Sequence, residues 1–327
     1  MKIRILSTLA ALMLSTGAYA QAAPAAPAAP AAPAAPAAPA APGEGVFKAG
    51  QPLGATNEAK EAVPLSSNVK VYGGVRYTES CTYDPARNLI LAMNAGVPND
   101  ILPNDGFVSL INPDGSVNTA KWIGATRDGL ELNQPLGSAI QGNTLYAVDG
   151  DTLRTFDLTT GEPQKSVKVE GATFLNGIGV TKDGTVYASN TRDPQRIYKV
   201  TADGTVSTFL EGAPLNAPNG VAIDLDGNIV VVNIGDNNVI TFDPAGKVVK
   251  TEQAVEGGND GLVITEDGTK YVSSVRYGSV SKIAPDKPAE IIASGIPSAA
   301  SMCYDSTQKQ LIIPMNPNDA LAFIKLN

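Results

Sequence analysis

Four segments of the chain begin in the same way, with an oxygen-bearing side chain, then a small residue, then an apolar strand. They are Glu79-Ser80-Cys81, Asn176-Gly177-Ile178, Asn219-Gly220-Val221 and Asp260-Gly261-Leu262. Two carboxylates and one or two amide oxygens that converge form an all-oxygen, partly hydrated site suited to a hard cation such as Ca²⁺ or Mg²⁺. Without a cation, the carboxylates of Glu79 and Asp260 would repel each other. The residue types therefore predict a metal site.

A simpler interpretation exists for each segment taken alone. Asn-Gly and Asp-Gly are strong turn formers, because these residues tolerate positive φ, so Asn176, Asn219 and Asp260 would only shape the start of a strand. Glu79 argues against this interpretation, since glutamate is not a turn former and yet stands at the same place in its segment. The four segments together therefore favour a shared site over independent turns.

The chain contains no histidine. This excludes Ser-His-Asp and Cys-His catalysis, histidine-based zinc sites and imidazole general bases. Any chemistry must then use carboxylates, amides, hydroxyls, lysine, arginine or a metal held by oxygen.

The spacing of the segments indicates which elements carry them. Gly177, Gly220, Gly261 and Ser301 follow one another at intervals of 43, 41 and 40 residues, a period typical of propeller blades. The repeats contain short strands separated by tight turns such as Asp226-Gly227. Six such units fit residues 46–327, so we predict an all-β, six-bladed β-propeller. Equivalent residues of different blades would then meet at one axis.

The sixth blade has no fourth strand of its own. A closed propeller leaves no unpaired edge, so we predict that the N-terminal segment Asn68–Tyr72 supplies this strand and closes the last blade. Because strands alternate in direction, blade starts and the loops after second strands open on one face, here called the upper face. It collects Asn94, residues 96–105, Asp149, Asp151, Asn190, Arg192, Asn233, Asp236, Arg276, Tyr277 and Asn316.

The N-terminal region is predicted to be a targeting segment and a spacer. Residues 1–20 combine Lys2 and Arg4 with an apolar run, and the small residues that end them fit a signal peptide cleaved after Ala20. Residues 21–45 form a linker rich in alanine and proline, and its prolines favour extended polyproline II. No later apolar stretch is long enough to span a bilayer. We therefore expect a periplasmic or secreted protein.

The charge of the chain bears on its partners. The formal charge is −8, and loss of Lys2 and Arg4 with the signal peptide makes it −10, because the first 20 residues contain no acid. An acidic surface argues against nucleic acid and anionic membranes as partners and favours a small-molecule substrate. The oligomeric state is left open by the sequence.

The two cysteines, Cys81 and Cys303, belong to a chain predicted to enter an oxidising compartment, where a disulfide is possible. Alignment of Glu79 with Ala300 puts the cysteines one position out of register. On β-strands this offset points the side chains to opposite faces. We therefore expect two buried thiols.

The order and spacing of the four segments resemble the six-bladed propellers of the regucalcin, gluconolactonase and luciferin-regenerating-enzyme family. The resemblance covers about residues 71–327 and rests on Thr78-Glu79-Ser80, Leu175-Asn176-Gly177, Pro218-Asn219-Gly220 and Asn259-Asp260-Gly261. It implies that Glu79, Asn219 and Asp260 bind a divalent metal, with Ca²⁺ expected first and Mg²⁺ or Zn²⁺ as alternatives. Asn176 would contact the substrate or a metal-bound water, and Asp260 would also be the general base.

These observations predict an exported, metal-dependent hydrolase of a lactone or related ester, in which the metal activates a water and Asp260 accepts its proton. Arg192 and Arg276 are predicted to bind the substrate by orienting an anionic or hydroxylated group. The alternative is a non-catalytic propeller that binds a ligand or a protein, because fold alone does not separate the two.

Two positions depart from the family pattern, and one of them is Gly177, which follows Asn176 where the family often has aspartate. The substrate-binding arginine of the family, two residues before the blade-three asparagine, is Phe174 here, so the sugar-lactone pocket is not reproduced. We expect the large side chains Tyr72, Tyr77, Trp122 and Phe174 to pack between blades and not to form a substrate platform.

Overall fold

The computed structural model describes residues 52–96, 101–124 and 130–326. The predicted signal peptide (1–20) and linker (21–45) lie outside the described residues, as do residues 97–100 of the blade-one insertion. In the described part of the chain, no helix is long and apolar enough to cross a membrane.

The predicted repeats fold as six four-stranded antiparallel sheets, one for each blade, which confirms the six-bladed propeller. Three short N-terminal strands come first: β1 (Ala55–Thr56), β2 (Ala62–Val63) and β3 (Val69–Gly73). Blade one consists of β4 (Thr78–Asp84), β5 (Leu89–Asn94), β6 (Phe107–Ile111) and β7 (Val117–Ile123). Blade two consists of β8 (Pro135–Gln141), β9 (Thr144–Asp149), β10 (Thr152–Asp157) and β11 (Pro163–Lys168).

The remaining blades repeat this order. Blade three consists of β12 (Leu175–Val180), β13 (Val186–Asn190), β14 (Arg196–Val200) and β15 (Val206–Glu211). Blade four consists of β16 (Pro218–Ile223), β17 (Ile229–Asn233), β18 (Asn238–Phe242) and β19 (Val248–Gln253). Blade five consists of β20 (Asn259–Ile264), β21 (Lys270–Ser274), β22 (Ser279–Ile283) and β23 (Glu290–Ala293). Blade six contains β24 (Cys303–Asp305), β25 (Gln310–Met315), a 3-10 helix (Asn316–Asn318) and β26 (Ala320–Lys325).

The ring is closed by the N-terminal strand, as predicted. β3 pairs antiparallel with β26, with Val71 opposite Ala322 and Tyr72 opposite Leu321. The sheet of blade six therefore combines strands from both ends of the propeller. This pairing gives β26 a partner for backbone groups that would otherwise be unpaired.

The apolar core lies between the blades, because each buried cluster draws residues from two neighbouring sheets. Leu91 and Phe156 join blades one and two, and the other clusters continue this arrangement around the ring. The first strand of each blade also contacts first strands of neighbouring blades, so these six strands surround the axis. Neighbouring blades are thus packed face to face, and side chains of the first strands meet at the centre.

This packing corrects the expectation of two free thiols. Cys81 and Cys303 form a disulfide, with their Cα atoms 5.4 Å apart. The bridge between Ser80 and Ser301 shows that the cysteines are one position out of register, as the sequence indicates. However, their strands belong to blades one and six, which pack face to face. A side chain on one face of blade one meets a side chain on the opposite face of blade six, so the offset allows the bond.

Candidate active site

The start of each of the six blades places one residue at the axis, and these six residues are called the axial ring. They are Glu79, Leu136, Asn176, Asn219, Asp260 and Ala300. Four of them are the residues that the recurring segments predict. Leu136 and Ala300, from blades two and six, are buried and apolar, so the oxygen-bearing side chains come from blades one, three, four and five.

The glycines beside the axial ring are required by close packing and not by turns. A Cβ atom at Gly137, Gly177 or Gly220 would collide with the backbone carbonyl of the axial residue in the next blade. None of these glycines has positive φ, and all three lie within strands. The interpretation of Asn176-Gly177 and Asn219-Gly220 as turns is therefore wrong. Glycine lets the first strands come close enough for their neighbouring side chains to meet.

Contacts across the axis connect the predicted residues. The Nδ2 atom of Asn219 donates a hydrogen bond of 2.9 Å to Oδ2 of Asp260. The amide of Asn316 donates to the carboxylate of Glu79. The charge of Asp260 contributes to the raised pKa of Glu79, although blades one and five are not neighbours. The two carboxylates therefore face a common space.

Three oxygens at this space are buried and accept no hydrogen bond. They are Oδ1 of Asn176, Oδ1 of Asn219 and Oδ1 of Asp260, and the exposed fractions of these residues are 4%, 0% and 2%. Buried polar atoms without a partner are rare and require an explanation. A divalent cation, with a water or substrate beside it, would explain these three, because carboxylate and amide oxygens are the ligands that such a cation prefers and are also good hydrogen-bond acceptors. Among the described residues, no three acidic or cysteine side chains are placed so that they could hold a metal ion together, so amides must complete any such site.

Burial dominates the electrostatics of the two carboxyl groups. It raises the pKa of Asp260 to about 7, and hydrogen bonds from Ser301 and Asn219 offset part of the rise. Glu79 keeps part of its surface accessible, but burial and then the charge of Asp260 still raise its pKa well above the usual value, with the hydrogen bond from Asn316 acting against them. In the metal-free protein these groups therefore hold protons more strongly than ordinary carboxyls. A bound cation would favour their charged forms.

The two predicted substrate-binding arginines lie at the rim and not in the axial ring. The exposed Arg192 stacks its guanidinium on the ring of Phe174, 3.9 Å from the centroid. Arg276 is also exposed, and its Cβ lies directly over Gly258. Among the described residues, no hydrogen bond joins either side chain to the axial ring. Both arginines are thus free to meet a molecule that enters from the upper face.

A second set of polar residues, here called the clasp ring, ends the second strands of blades one to four. Its oxygens accept hydrogen bonds from the backbone of the loop before each blade: Asn94 from Arg76, Asp149 from Gln134, Asn190 from Phe174, and Asn233 from Asn216. From the sequence, these four residues are expected on the polar upper face as candidate binding residues. In the structure they instead fix the loops before the blades, because their oxygens satisfy backbone N–H groups.

One residue that contacts the site, Asn316, is not among the predicted metal ligands or substrate-binding residues. Asn316 lies in the 3-10 helix that follows β25, and its side chain donates a hydrogen bond to Glu79. Blade six thus contributes a polar contact from this helix, although its own axial residue, Ala300, is apolar. Its signal in the sequence is the Asn316-Pro317-Asn318 turn at the end of a second strand, which indicates the upper face but not the axis.

Surface grooves do not compete with this site. A groove of about 510 Å³ between blades three and four is lined by Lys182, Asp183, Asp226 and Gly227. These residues belong to the Asp-Gly turns on the face opposite the axial oxygens. The groove contains none of the predicted site residues, whereas the axial ring brings four of them together.

Comparison with known proteins identifies a family. Residues 89–255 match the sequence profile of the SMP-30/Gluconolactonase/LRE-like region. This span is just over half of the 327-residue chain, and it includes Asn176 and Asn219. No curated protein matches the chain in sequence.

Solved structures share the fold at low sequence identity. A gluconolactonase from Xanthomonas campestris has a TM-score of 0.59 and 15% identity, with 84% of this chain and 98% of the other covered. A catalytically inactive histidine-to-alanine variant of virginiamycin B lyase from Staphylococcus aureus, in complex with quinupristin, has a TM-score of 0.54 and 13% identity, with 79% and 100% covered. A streptogramin B lyase has a TM-score of 0.57 and 9% identity, with 79% and 97% covered. At these identities the likeness establishes the fold alone.

Proposed function

The chain belongs to the SMP-30/gluconolactonase/LRE-like family, and we propose that it is an exported, metal-dependent hydrolase of a lactone or related ester. The observation that carries the proposal is the group of three buried oxygens without hydrogen-bond partners in the axial ring, with the carboxylate of Glu79 facing the same space. This arrangement favours a cation site over a purely structural centre.

Glu79, Asn219 and Asp260 would hold the cation, and Asn176 would direct its free amide oxygen to the substrate or to water. Ca²⁺ suits this set best, because all the donors are oxygens, with Mg²⁺ or Zn²⁺ as alternatives. A cation bound there would polarise the scissile carbonyl as a Lewis acid.

Asp260 is suited to act as general base. Its Oδ1 is buried and has no partner, so it can accept a proton from an attacking water. The water oxygen would form a bond to the carbonyl carbon, the bond from that carbon to the ring oxygen would break, and the proton would pass from Asp260 to the departing alkoxide. The hydrogen bond from Asn219 fixes the orientation of the carboxylate.

Arg192 and Arg276 would bind the substrate at the rim, where both are exposed. The guanidinium of Arg192 is already oriented by its stacking on Phe174. It can receive an anionic group of the substrate, or the carboxylate that hydrolysis of a lactone produces. The partner of this site is therefore a small molecule.

The absence of histidine separates this proposal from a lyase activity. The inactive lyase variant has a histidine replaced by alanine, whereas this chain contains no histidine, which favours a carboxylate-based hydrolase. A non-catalytic binding propeller remains the alternative.

Export through residues 1–20, with residues 21–45 as a spacer before the propeller, is supported by the Cys81–Cys303 disulfide, because such bonds persist in oxidising compartments.

The test is a lactone panel assayed on the full chain with chelator and after addition of Ca²⁺, Mg²⁺ or Zn²⁺. We expect hydrolysis that chelator abolishes and one of the cations restores. Glu79→Gln should weaken cation binding and activity together, whereas Glu266→Gln, an exposed blade-five control, should change neither. Cation binding without turnover on any lactone would replace the hydrolase with the binding propeller.

A further inference from the structure

Directly before the axial ring in the chain lies a second set of positions that differs sharply around the molecule. The residues two positions before each axial residue are large in blades one to three and small in blades four to six. They are Tyr77, Gln134, Phe174, Ala217, Gly258 and Ser298. The positions just before the axial ring thus carry bulky residues on one half of the molecule only.

The backbone at Tyr77 shows that its size is not required by the fold. Tyr77 has a left-handed backbone, with φ of 40°, and the equivalent Ala217, Gly258 and Ser298 are left-handed as well. In blades four to six the residue with this backbone conformation is small, as expected where φ is positive, because bulky L-amino acids disfavour that region. Blade one places a tyrosine there, so a bulky ring is kept where the backbone disfavours it.

The position of Tyr77 is held from two sides. Its backbone N–H donates to Oδ1 of Asp319 at 2.7 Å, and its carbonyl accepts from the N–H of Ala95 at 3.1 Å. Its half-buried ring packs against the apolar cluster that contains Leu136 of the axial ring.

Phe174 lies on the same apolar cluster, also half-buried. Its outer surface is covered by the guanidinium of Arg192, 3.9 Å from the ring centroid. In the described part of the chain, no carboxylate lies within ion-pair distance of Arg192. The ring and the cation therefore form a surface that combines apolar contact with an unneutralised positive charge.

We propose that Tyr77 and Phe174, here called the aromatic wall, select lactones or esters with an aromatic or extended apolar part, and that Arg192 receives a carboxylate at its edge. This inference rests on the proposed hydrolase function and names its substrate class. A polyhydroxylated sugar lactone fits poorly, because its hydroxyls would lose water against two rings that offer one phenol group between them. An aromatic ring would instead stack on the wall.

The experiment compares kcat/KM for dihydrocoumarin, an aromatic lactone, with kcat/KM for glucono-1,5-lactone. The ratio of the two values is independent of the fraction of active protein, so it stays informative if a variant is less stable. We expect the wild-type chain to prefer dihydrocoumarin and Tyr77→Ala and Phe174→Ala each to lower the ratio about 10- to 100-fold. Phe174→Tyr, which keeps the ring, should retain it, and Tyr304→Ala, in blade six away from the upper face, should leave it unchanged.

A wild-type preference for gluconolactone, or an unchanged ratio in both alanine variants, would overturn the aromatic wall while leaving a hydrolase. If the wild-type chain hydrolyses neither these two nor any other lactone of the panel, the proposed function fails, and the wall is tested by calorimetric binding of 3-(2-hydroxyphenyl)propanoate against gluconate. Tighter binding of the aromatic acid that Tyr77→Ala, Phe174→Ala and Arg192→Gln weaken would support the wall. Equal binding of the two acids would overturn it.

Discussion

The axial ring and the clasp ring both place buried asparagine and aspartate side chains at recurring positions of the blades, yet these side chains do different things. In the clasp ring, the oxygens of Asn94, Asp149, Asn190 and Asn233 all accept backbone hydrogen bonds. In the axial ring, an oxygen of Asn176, Asn219 and Asp260 accepts none. Asparagine and aspartate at recurring positions therefore do not by themselves identify a ligand site. The unmet hydrogen-bonding capacity of the side chain does.

Blade four contains one asparagine from each ring, so it allows the most direct comparison of the two. Asn219 and Asn233 are both 0% exposed, but Asn233 is bonded to its own loop through Asn216 and Asp236, whereas Asn219 leaves Oδ1 free. If the comparison is right, changes in the axial ring alter function at little cost in stability, and changes in the clasp ring do the reverse.

Asp260→Asn tests the axial ring and carries the largest expected effect. The amide has the same shape but cannot act as a base, so we expect kcat/KM for lactone hydrolysis to fall by about 10²–10⁴-fold. The melting temperature should not fall, because the substitution removes a buried charge that repels Glu79. Initial rates and thermal unfolding measured on the same preparation check both parts. A variant that unfolds together with its loss of activity would contradict the distinction between the rings.

Asp149→Ala tests the clasp ring. Asp149 accepts from Gln134 and pairs at 2.6 Å with Arg154, which is 7% exposed, so its removal leaves a buried charge without its main partner. We expect a loss of about 3–5 kcal/mol in the free energy of unfolding, with kcat/KM unchanged for the fraction that is folded. Denaturant titration measures the loss. The partly exposed neighbour Asp151, which pairs with Lys168 at 3.7 Å, should cost less than about 1 kcal/mol when changed to alanine.

The pH dependence of the metal-free protein should distinguish the axial carboxyls from those at the surface. Because the folded pKa of Asp260 is raised from 3.8 to about 7, the contribution of this residue to stability is fully present below about pH 4 and is lost as pH rises from about 4 to about 7, by up to about 4 kcal/mol. The surface turn residue Asp183 has a lowered pKa, so it acts only below about pH 4 and leaves this range flat.

Thermal unfolding in chelator at pH 5 and pH 8 checks this prediction, with the higher melting temperature expected at pH 5. A bound cation should raise the melting temperature more at pH 8 than at pH 5, because it competes with protons for the same oxygens. Asp260→Asn should flatten the pH dependence. A metal-free protein that is more stable at pH 8 would show that these carboxyls are not held in a repelling, buried pair.

Asn219→Ala and Asn233→Ala form the finest test. The first should weaken Ca²⁺ binding about 10-fold and cost little stability, because its hydrogen bond to Asp260 holds a ligand and no loop. The second should cost about 1–3 kcal/mol of stability, because it leaves the backbone N–H of Asn216 without its acceptor. Calorimetric Ca²⁺ titration and thermal unfolding separate the two effects. Equal loss of Ca²⁺ binding in both variants would remove the basis of the comparison.

Much of the fold could be predicted from the chain, because it follows from local and repeated features. Intervals near 41 residues indicated blades, and the missing strand of blade six indicated β3 as its partner, since an open edge is unfavourable. The four oxygen-bearing residues could also be placed at one centre, because equivalent positions of a ring meet at its axis. Their roles as metal ligands and base remain predictions that the experiments above test.

Other features escaped prediction because they depend on how blades pack. The glycines after Asn176 and Asn219 suggested turns, but only the approach of the next blade shows why no Cβ is tolerated. The offset of one position between Cys81 and Cys303 suggested separate thiols, because side chains one position out of register point to opposite faces within one sheet. The two cysteines lie in different sheets, where the same offset allows the disulfide. Asn316 lies in the loop after a second strand, which the repeat places on the upper face, but nothing in its spacing indicated a contact with Glu79.

The sequence by itself therefore determined the number of blades, the closing strand and the residue types available at the axis, because periodicity and alternation are properties of the chain. Only the tertiary structure decided which polar side chains stay unbonded, which cysteines meet and which half of the approach is bulky. The physical reason is that hydrogen bonding, burial and close approach are settled between residues from different blades. Residues of the same type, such as Asn219 and Asn233, are distinguished only by their neighbours in space.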